Sequence, residues 1–210
     1  MLQPTGGTTV KLPAGTALTL NWWGNIDLTN AHGLENEFTE YDWTASLGFG
    51  LGPVTVTFGA VEYVFPHDGL TDGDAREAFL QLSLPPPTPA ALPTTLDLSG
   101  NYDFHLIKGA YAKLRLQTGY ALTDKWRLSA HVDLGAAENN YHNGYFGENI
   151  NALNDFAAGL ALHAMIDSHT AATLGLEHSW MADGDLRRAA ASRYDDDDAT
   201  WVMARFTVGF

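Results

Sequence analysis

The last eleven residues, Thr200 to Phe210, read T-W-V-M-A-R-F-T-V-G-F. Val202, Ala204, Phe206, Val208 and Phe210 are apolar at every second position, and Trp201, Met203, Arg205, Thr207 and Gly209 alternate with them. Side chains alternate faces along a strand, so the segment is predicted to be a β-strand with one continuously apolar face. An apolar strand with an open edge invites aggregation, and a strand that closes a barrel does not have that edge.

The same alternation recurs along the chain. Thr16–Leu28 sets Leu18, Leu20, Trp22 and Ile26 against Thr19, Asn21, Trp23 and Asn25. Arg76–Leu84, Gly109–Ala121, Trp126–Gly135 and Asp155–Ile166 are sorted in the same way. Counting a weaker Thr- and Gly-rich segment at 3–11, strands are predicted at 3–11, 16–28, 37–51, 54–65, 76–84, 94–104, 109–121, 126–135, 155–166, 171–181 and 200–210. Glu62 breaks the apolar row of its strand, and a β-bulge there or a place at the headgroup level would accommodate it. The Pro-rich run 85–89 cannot pair in a sheet and is read as a connection.

Such a series fits either a soluble sandwich or an up-and-down antiparallel transmembrane β-barrel, and three features favour the barrel. The strands run to roughly ten residues, the length a tilted strand needs to cross a bilayer, against about five or six in soluble sheets. The apolar face is nearly free of charge, whereas the opposite face collects Asp42, Asp97, Lys113, Arg115, Arg127, Asp133, Glu177 and Arg205. Charges of both signs at strand centres belong in a polar lumen. Aromatics of the apolar face gather near strand ends, at Tyr41, Phe49, Tyr102, Phe104, Tyr120, Trp126, Trp180 and Phe210, as interfacial girdles require.

Composition agrees. Lys plus Arg number 11 against 25 Asp plus Glu, a formal charge of −14, which argues against a nucleic-acid partner. There is no cysteine, so disulfide frameworks and thiolate metal sites are excluded. Mean hydropathy is −0.13, and no run approaches the ~18 apolar residues of a membrane helix; neither bears on a barrel, in which only alternate residues meet lipid.

The terminal strand resembles that of bacterial outer-membrane proteins, in which a final Phe is part of the signal read by the barrel assembly machinery; that resemblance makes Phe210 the periplasmic end. Stepping backwards then puts the links at 167–170, 122–125, 85–93, 52–53 and 12–15 in the periplasm. The loops 182–199, 136–154, 105–108, 66–75 and 29–36 fall outside. On that walk Met1 emerges outside, which a complete barrel of even strand number would not show. A first strand and a signal peptide are therefore expected to be missing upstream of about eleven strands, the parent barrel having twelve. Asn21-Trp22-Trp23-Gly24-Asn25-Ile26-Asp27-Leu28-Thr29, Glu37-Phe38-Thr39-Glu40-Tyr41-Asp42 and Glu62-Tyr63-Val64-Phe65-Pro66 are similar to a family of uncharacterised outer-membrane proteins of Gram-negative bacteria. In that family an earlier strand precedes the Leu2–Pro4 segment. The resemblance implies a fold and a location, and no activity.

Two readings of the lumen remain open. Lys113, Arg115, Arg127 and Arg205, with His131 and His163, could form a basic strip selecting anionic solutes. Alternatively they pair with Asp97, Asp103, Asp133, Glu177, Glu40 and Asp42 to fill a narrow barrel, the favoured expectation for one of this size. The external acidic cluster, Asp183, Asp185 and Asp195, Asp196, Asp197 and Asp198, offers hard oxygen ligands for a divalent cation, but four consecutive aspartates read more readily as a hydrated loop. No metal or other cofactor is expected.

An enzyme is not expected. Outer-membrane phospholipases set a Ser and a His on the lipid-facing side. Here His178 and Ser179 are adjacent and point to opposite faces, while Ser129 and His131 point inward. There is no G-x-S-x-G, H-E-x-x-H or glycine-rich phosphate loop. The expected function is a narrow porin-like channel for small hydrophilic or anionic solutes, the alternative a plugged structural or loop-binding barrel.

Overall fold

The computed structural model describes residues 1–29, 34–67, 74–89 and 92–209. Eleven strands form one antiparallel sheet in chain order: β1 (Thr5–Lys11), β2 (Ala17–Ile26), β3 (Phe38–Leu51), β4 (Val54–Val64), β5 (Ala75–Leu84), β6 (Thr94–Asp103), β7 (Ala110–Ala121), β8 (Trp126–Ala137), β9 (Ala152–Met165), β10 (Thr170–Met181) and β11 (Asp198–Val208). Each strand therefore neighbours the next in sequence, with β1 and β11 at the ends of the order. The chain divides into two compact units, Met1–Leu82 with Ser99–Ala110, and Ser83–Leu98 with Tyr111–Phe210. No helix among the described residues is long and apolar enough to cross a membrane.

The alternation read from the sequence is carried into the faces of the sheet, and its polarity is the reverse of a soluble protein's. Leu160, Leu174, Val202 and Phe206 are more than half exposed, whereas Asp97, Asp103, Asp133 and Asn154 are buried. Exposed apolar surface on this scale needs an apolar solvent or a partner to cover it.

The turns follow local chemistry. Ala14 and Gly15 adopt left-handed conformations in a single 3₁₀ turn between β1 and β2, and Gly52 does so between β3 and β4. Between β6 and β7, Asp103 accepts hydrogen bonds from the backbone N–H groups of His105 (2.7 Å), Leu106 (2.9 Å) and Ile107 (3.2 Å). That carboxylate, expected to neutralise a lumen cation, caps a turn instead. Against β3, strand β4 stays in register through Glu62; among the described pairings, register shifts fall at Asn25/Ile26 and at Leu134/Ala136.

Two connections expected as loops contain helices, α1 (Asn139–Phe146) and α2 (Gly184–Tyr194). Asp183 is the N-cap of α2, its Oδ1 accepting from the N–H groups of Asp185 and Leu186. Leu186 and Ala190 of α2 are buried, and the Phe146 and Tyr194 rings meet edge to face at 6.0 Å. Tyr194 donates its hydroxyl proton to the Tyr145 carbonyl at 2.6 Å. Fully buried His142 ties α1 down, with Nδ1 2.8 Å from the Ile150 carbonyl and Nε2 3.1 Å from Asn154 Oδ1.

Candidate functional site: a polar face with two charge zones

The polar face of the unit containing β7 to β11 holds most of the charged residues singled out in the sequence. Cross-strand register assigns them to rows, because directly opposed residues share a face. Nearest the short turns, one row runs Arg127 (β8), His163 (β9), Thr173 (β10) and Arg205 (β11). Two rows further along come Gln117, His131, Gly159 and Glu177, and after them Arg115, Asp133, Ala157 and Ser179. Lys113 opposes Gly135 beyond these. The expected single basic strip is thus divided: Arg127 and Arg205 lie together at one end, Lys113 and Arg115 towards the other.

The two zones differ in how charge is compensated. Arg115 donates from Nε to Asp133 Oδ1 at 2.7 Å and from Nη2 to Oδ2 at 2.5 Å, a two-pronged pair with buried Asp133. His131 Nε2 lies 3.3 Å from Glu177 Oε2, an ion-pair distance without hydrogen-bond geometry. Asp97 Oδ2 accepts from the Gln117 amide at 3.3 Å. Among the described residues, Lys113, Arg127 and Arg205 make no ion pair. The pairing expected for the whole set therefore holds for Arg115 with Asp133 and, at ion-pair distance, for His131 with Glu177, and leaves Lys113, Arg127 and Arg205 without an ion pair among the described residues.

Around the basic row the polar groups are hydroxyls. Ser129 Oγ is 2.7 Å from His163 Nε2, and His163 Nδ1 is 3.0 Å from Thr173 Oγ1. Sequence reasoning missed this pair because Ser129 and His163 are 34 residues apart and meet only through strand register. Small residues make the room. A Cβ on Gly159 would stand 2.3 Å from His131 Cε1, and one on Gly135 would stand 2.4 Å from the Tyr111 hydroxyl. Tyr111 donates to Asp155 Oδ1 at 2.9 Å, an arrangement the sequence did not suggest.

Among the described residues of the other unit the polar face carries no comparable cation cluster. Glu77 Oε2 accepts from the Tyr63 hydroxyl (3.1 Å) and the Asn101 amide (3.0 Å). Asn25 donates to Thr39 at 2.7 Å, and Asp42 keeps one buried carboxylate oxygen without a hydrogen bond. Glu40 and Asp42, expected to meet cations, have none among the described residues.

The aromatics expected at the interfaces lie on the apolar face near strand ends. Tyr102, Phe104, Tyr120 and Trp126 are exposed, Tyr41 is half-buried, and Trp180 packs on Phe156 at 4.5 Å. Phe210 lies outside the described residues. In the acidic run, Asp195 is the left-handed C-cap of α2 and Asp197 pairs with Arg187 at 3.3 Å. Asp198 opens β11. Asp196, Asp197 and Asp198 bring one oxygen each within 4.8 Å of one another, all at the surface or nearly so.

An up-and-down antiparallel sheet of eleven strands, with an exposed apolar face and buried charges on the other, defines the class: a porin-like fold of the up-and-down β-barrel type. Among solved structures the chain is similar to the NanC porin in a rhombohedral crystal form, with a TM-score of 0.52 at 10% sequence identity over the whole of both chains. No protein-family model matches the chain, and no curated protein is significantly similar to it in sequence.

Proposed function

We propose that this chain is a porin-like protein of the Gram-negative outer membrane, whose polar face lines a narrow path for small hydrophilic solutes with a preference for anions. The observation that carries the reading is the row holding Arg127 and Arg205, two cations without a carboxylate partner among the described residues, beside the hydroxyls of Ser129 and Thr173. Guanidinium groups not already spent on a protein carboxylate can act on a passing anion, as rings of basic side chains do in channels. Arg115 contributes little, since Asp133 cancels its charge. Ser129 and His163 are read as part of this polar lining and not as a nucleophile and base, because the third partner is a Thr hydroxyl where hydrolytic triads carry a carboxylate.

The test is planar-bilayer recording of the refolded protein under a salt gradient. Stepwise currents with an anion-selective reversal potential are expected, and Arg127→Gln with Arg205→Gln should move that potential towards cation selectivity. Lasting silence from verifiably folded protein would reject the channel. It would favour the second reading, a plugged barrel, which the ordered α1 and α2 with their own buried side chains support.

A further inference from the structure

Arg127 and Arg205 border a row of small side chains. On the polar face, the row beyond Arg127, His163, Thr173 and Arg205 runs Gly119, Ser129, Ala161, Gly175 and Met203. Arg127 lies across the first of these, since a Cβ on Gly119 would collide with its Nε and Nη2. At the other end the Met203 methyl covers Gly175, 3.2 Å from where a Cβ would stand, and the Ala161 Cβ is 3.7 Å from the same point. The row is therefore apolar at its centre, with a guanidinium over one end.

Charge and spacing on this patch suit one kind of anion. Arg127 and Arg205 are exposed and make no hydrogen bond or ion pair among the described residues, and His163 lies within electrostatic reach of both. In β8 to β11 the nearest carboxylate on this face, Glu177, stands four residues beyond Thr173 along β10. Three strand steps separate β8 from β11, so the two arginine Cα atoms are about 14 Å apart. With both side chains standing off the sheet, a guanidinium–carboxylate contact takes about 4 Å at each end and leaves about 6 Å between two carboxyl carbons. That is the span of a chain of about five or six carbons at single-bond spacing.

We propose that this patch is a binding site for linear dicarboxylates of about five or six carbons, one carboxylate on Arg127 and the other on Arg205, with the methylene chain over Ala161 and the Met203 methyl. A single anionic group answers one guanidinium and leaves the other bare, and a shorter diacid does not reach both. His163, held on its two nitrogens by Ser129 and Thr173, fills the gap between the arginines without bringing a carboxylate near. The proposal rests on the reading of this row as the lining of a solute path, and names the class of solute.

Met203 is a reporter within the patch. NMR of the refolded, methyl-labelled protein in detergent follows its signal, one of four methionines, through titrations with malonate, glutarate, adipate and butyrate at neutral pH and equal ionic strength. A Met203→Leu variant assigns the signal. Glutarate or adipate should bind at least about tenfold more tightly than malonate and butyrate, the scale of one further charge-assisted contact. Arg127→Gln and Arg205→Gln, each checked for a retained fold by unchanged Met165 and Met181 signals, should bring the longer diacids to the level of butyrate. Malonate or butyrate equal to the longer diacids, no shift of Met203 with any of them, or a preference that survives Arg205→Gln overturns the site. The wild-type series decides this without any substitution. Binding that depends on chain length in a protein silent in bilayers would keep the site and reject the channel, whereas stepwise anion current without that dependence would keep the channel and reject the site.

Discussion

Arg115 and Asp133 face each other across β7 and β8 and close a two-pronged ion pair in which the carboxylate is 4% exposed and the guanidinium 35%. An isolated cation in that position would cost more than the pair contributes, because removing one partner strands the other. Asp133→Asn is therefore expected to lower stability by about 2–3 kcal/mol. In the same variant Arg115 loses its carboxylate partner, so on the proposed channel reading anion selectivity should rise while stability falls. Urea unfolding in lipid or detergent, with reversal potentials on the same preparation, reads both; a variant that loses stability with unchanged selectivity would place the pair away from the solute path.

Gly159 gives a prediction of packing. His131 lies across it so closely that an added Cβ would meet the ring at 2.3 Å, and Glu177 Oε2 lies 3.3 Å from the imidazole Nε2. Gly159→Ala should displace His131, break its contact with Glu177 and cost about 1–3 kcal/mol by overpacking. Gly100 in β6 has nothing within 4 Å of such a Cβ, so Gly100→Ala should lie within about 0.5 kcal/mol of wild type. Comparable losses in the two variants would mean that backbone freedom, and not space for His131, governs both positions.

These two sites mark what the sequence could and could not carry. Strict alternation was enough to locate every one of the eleven strands and to say that Arg115, Arg127, His131, Asp133 and Arg205 share a face. Alternation has a period of two and carries no register, so it could not say that Arg127 and Arg205 fall in one row while Arg115 and Lys113 lie elsewhere. Nor could it bring Ser129 to His163. Helix α2 left a readable trace in the Asp183 cap and the Leu186-Arg187-Arg188-Ala189-Ala190-Ala191 run, masked by the acidic residues around it. Helix α1, made of Asn, Gly, Tyr, His and Phe, has little intrinsic propensity and is held by tertiary contacts through His142.

Asp167, in the turn between β9 and β10, yields a pH dependence. The backbone N–H of His169, 2.8 Å away, donates to its carboxylate and, with Thr170, holds the group below the usual carboxylate range. A folded value below the unfolded one means that the stabilisation is fully present above about pH 4, the range of a free Asp, and is lost as pH falls through the lowered value. Asp167→Asn should flatten this part of the acid-unfolding curve and leave neutral-pH stability nearly independent of pH. An NMR titration in which Asp167 follows a free carboxyl would remove the proposed hydrogen-bonded turn.

His142 decides whether α1 and α2 act as a fixed cap. Its two ring nitrogens are spent on the Ile150 carbonyl and on Asn154, whose own amide donates to Asp155 at 2.7 Å, so one side chain couples the helix to β9. His142→Ala leaves two buried polar partners unsatisfied, a cost of about 1–3 kcal/mol that falls on the local unit, since the strand pairing does not depend on it. Amide exchange should therefore quicken across Asn139–Phe146 and spread to α2 through the Phe146–Tyr194 and Tyr145–Tyr194 contacts, with β7 to β10 unchanged. Leu186→Ala, which empties a fully buried site in α2, should loosen the same residues from the opposite side. If the cap obstructs solute entry, both variants should also lengthen open times in bilayer recordings. Unchanged exchange across α1 in both variants would show that the helices are held by other contacts.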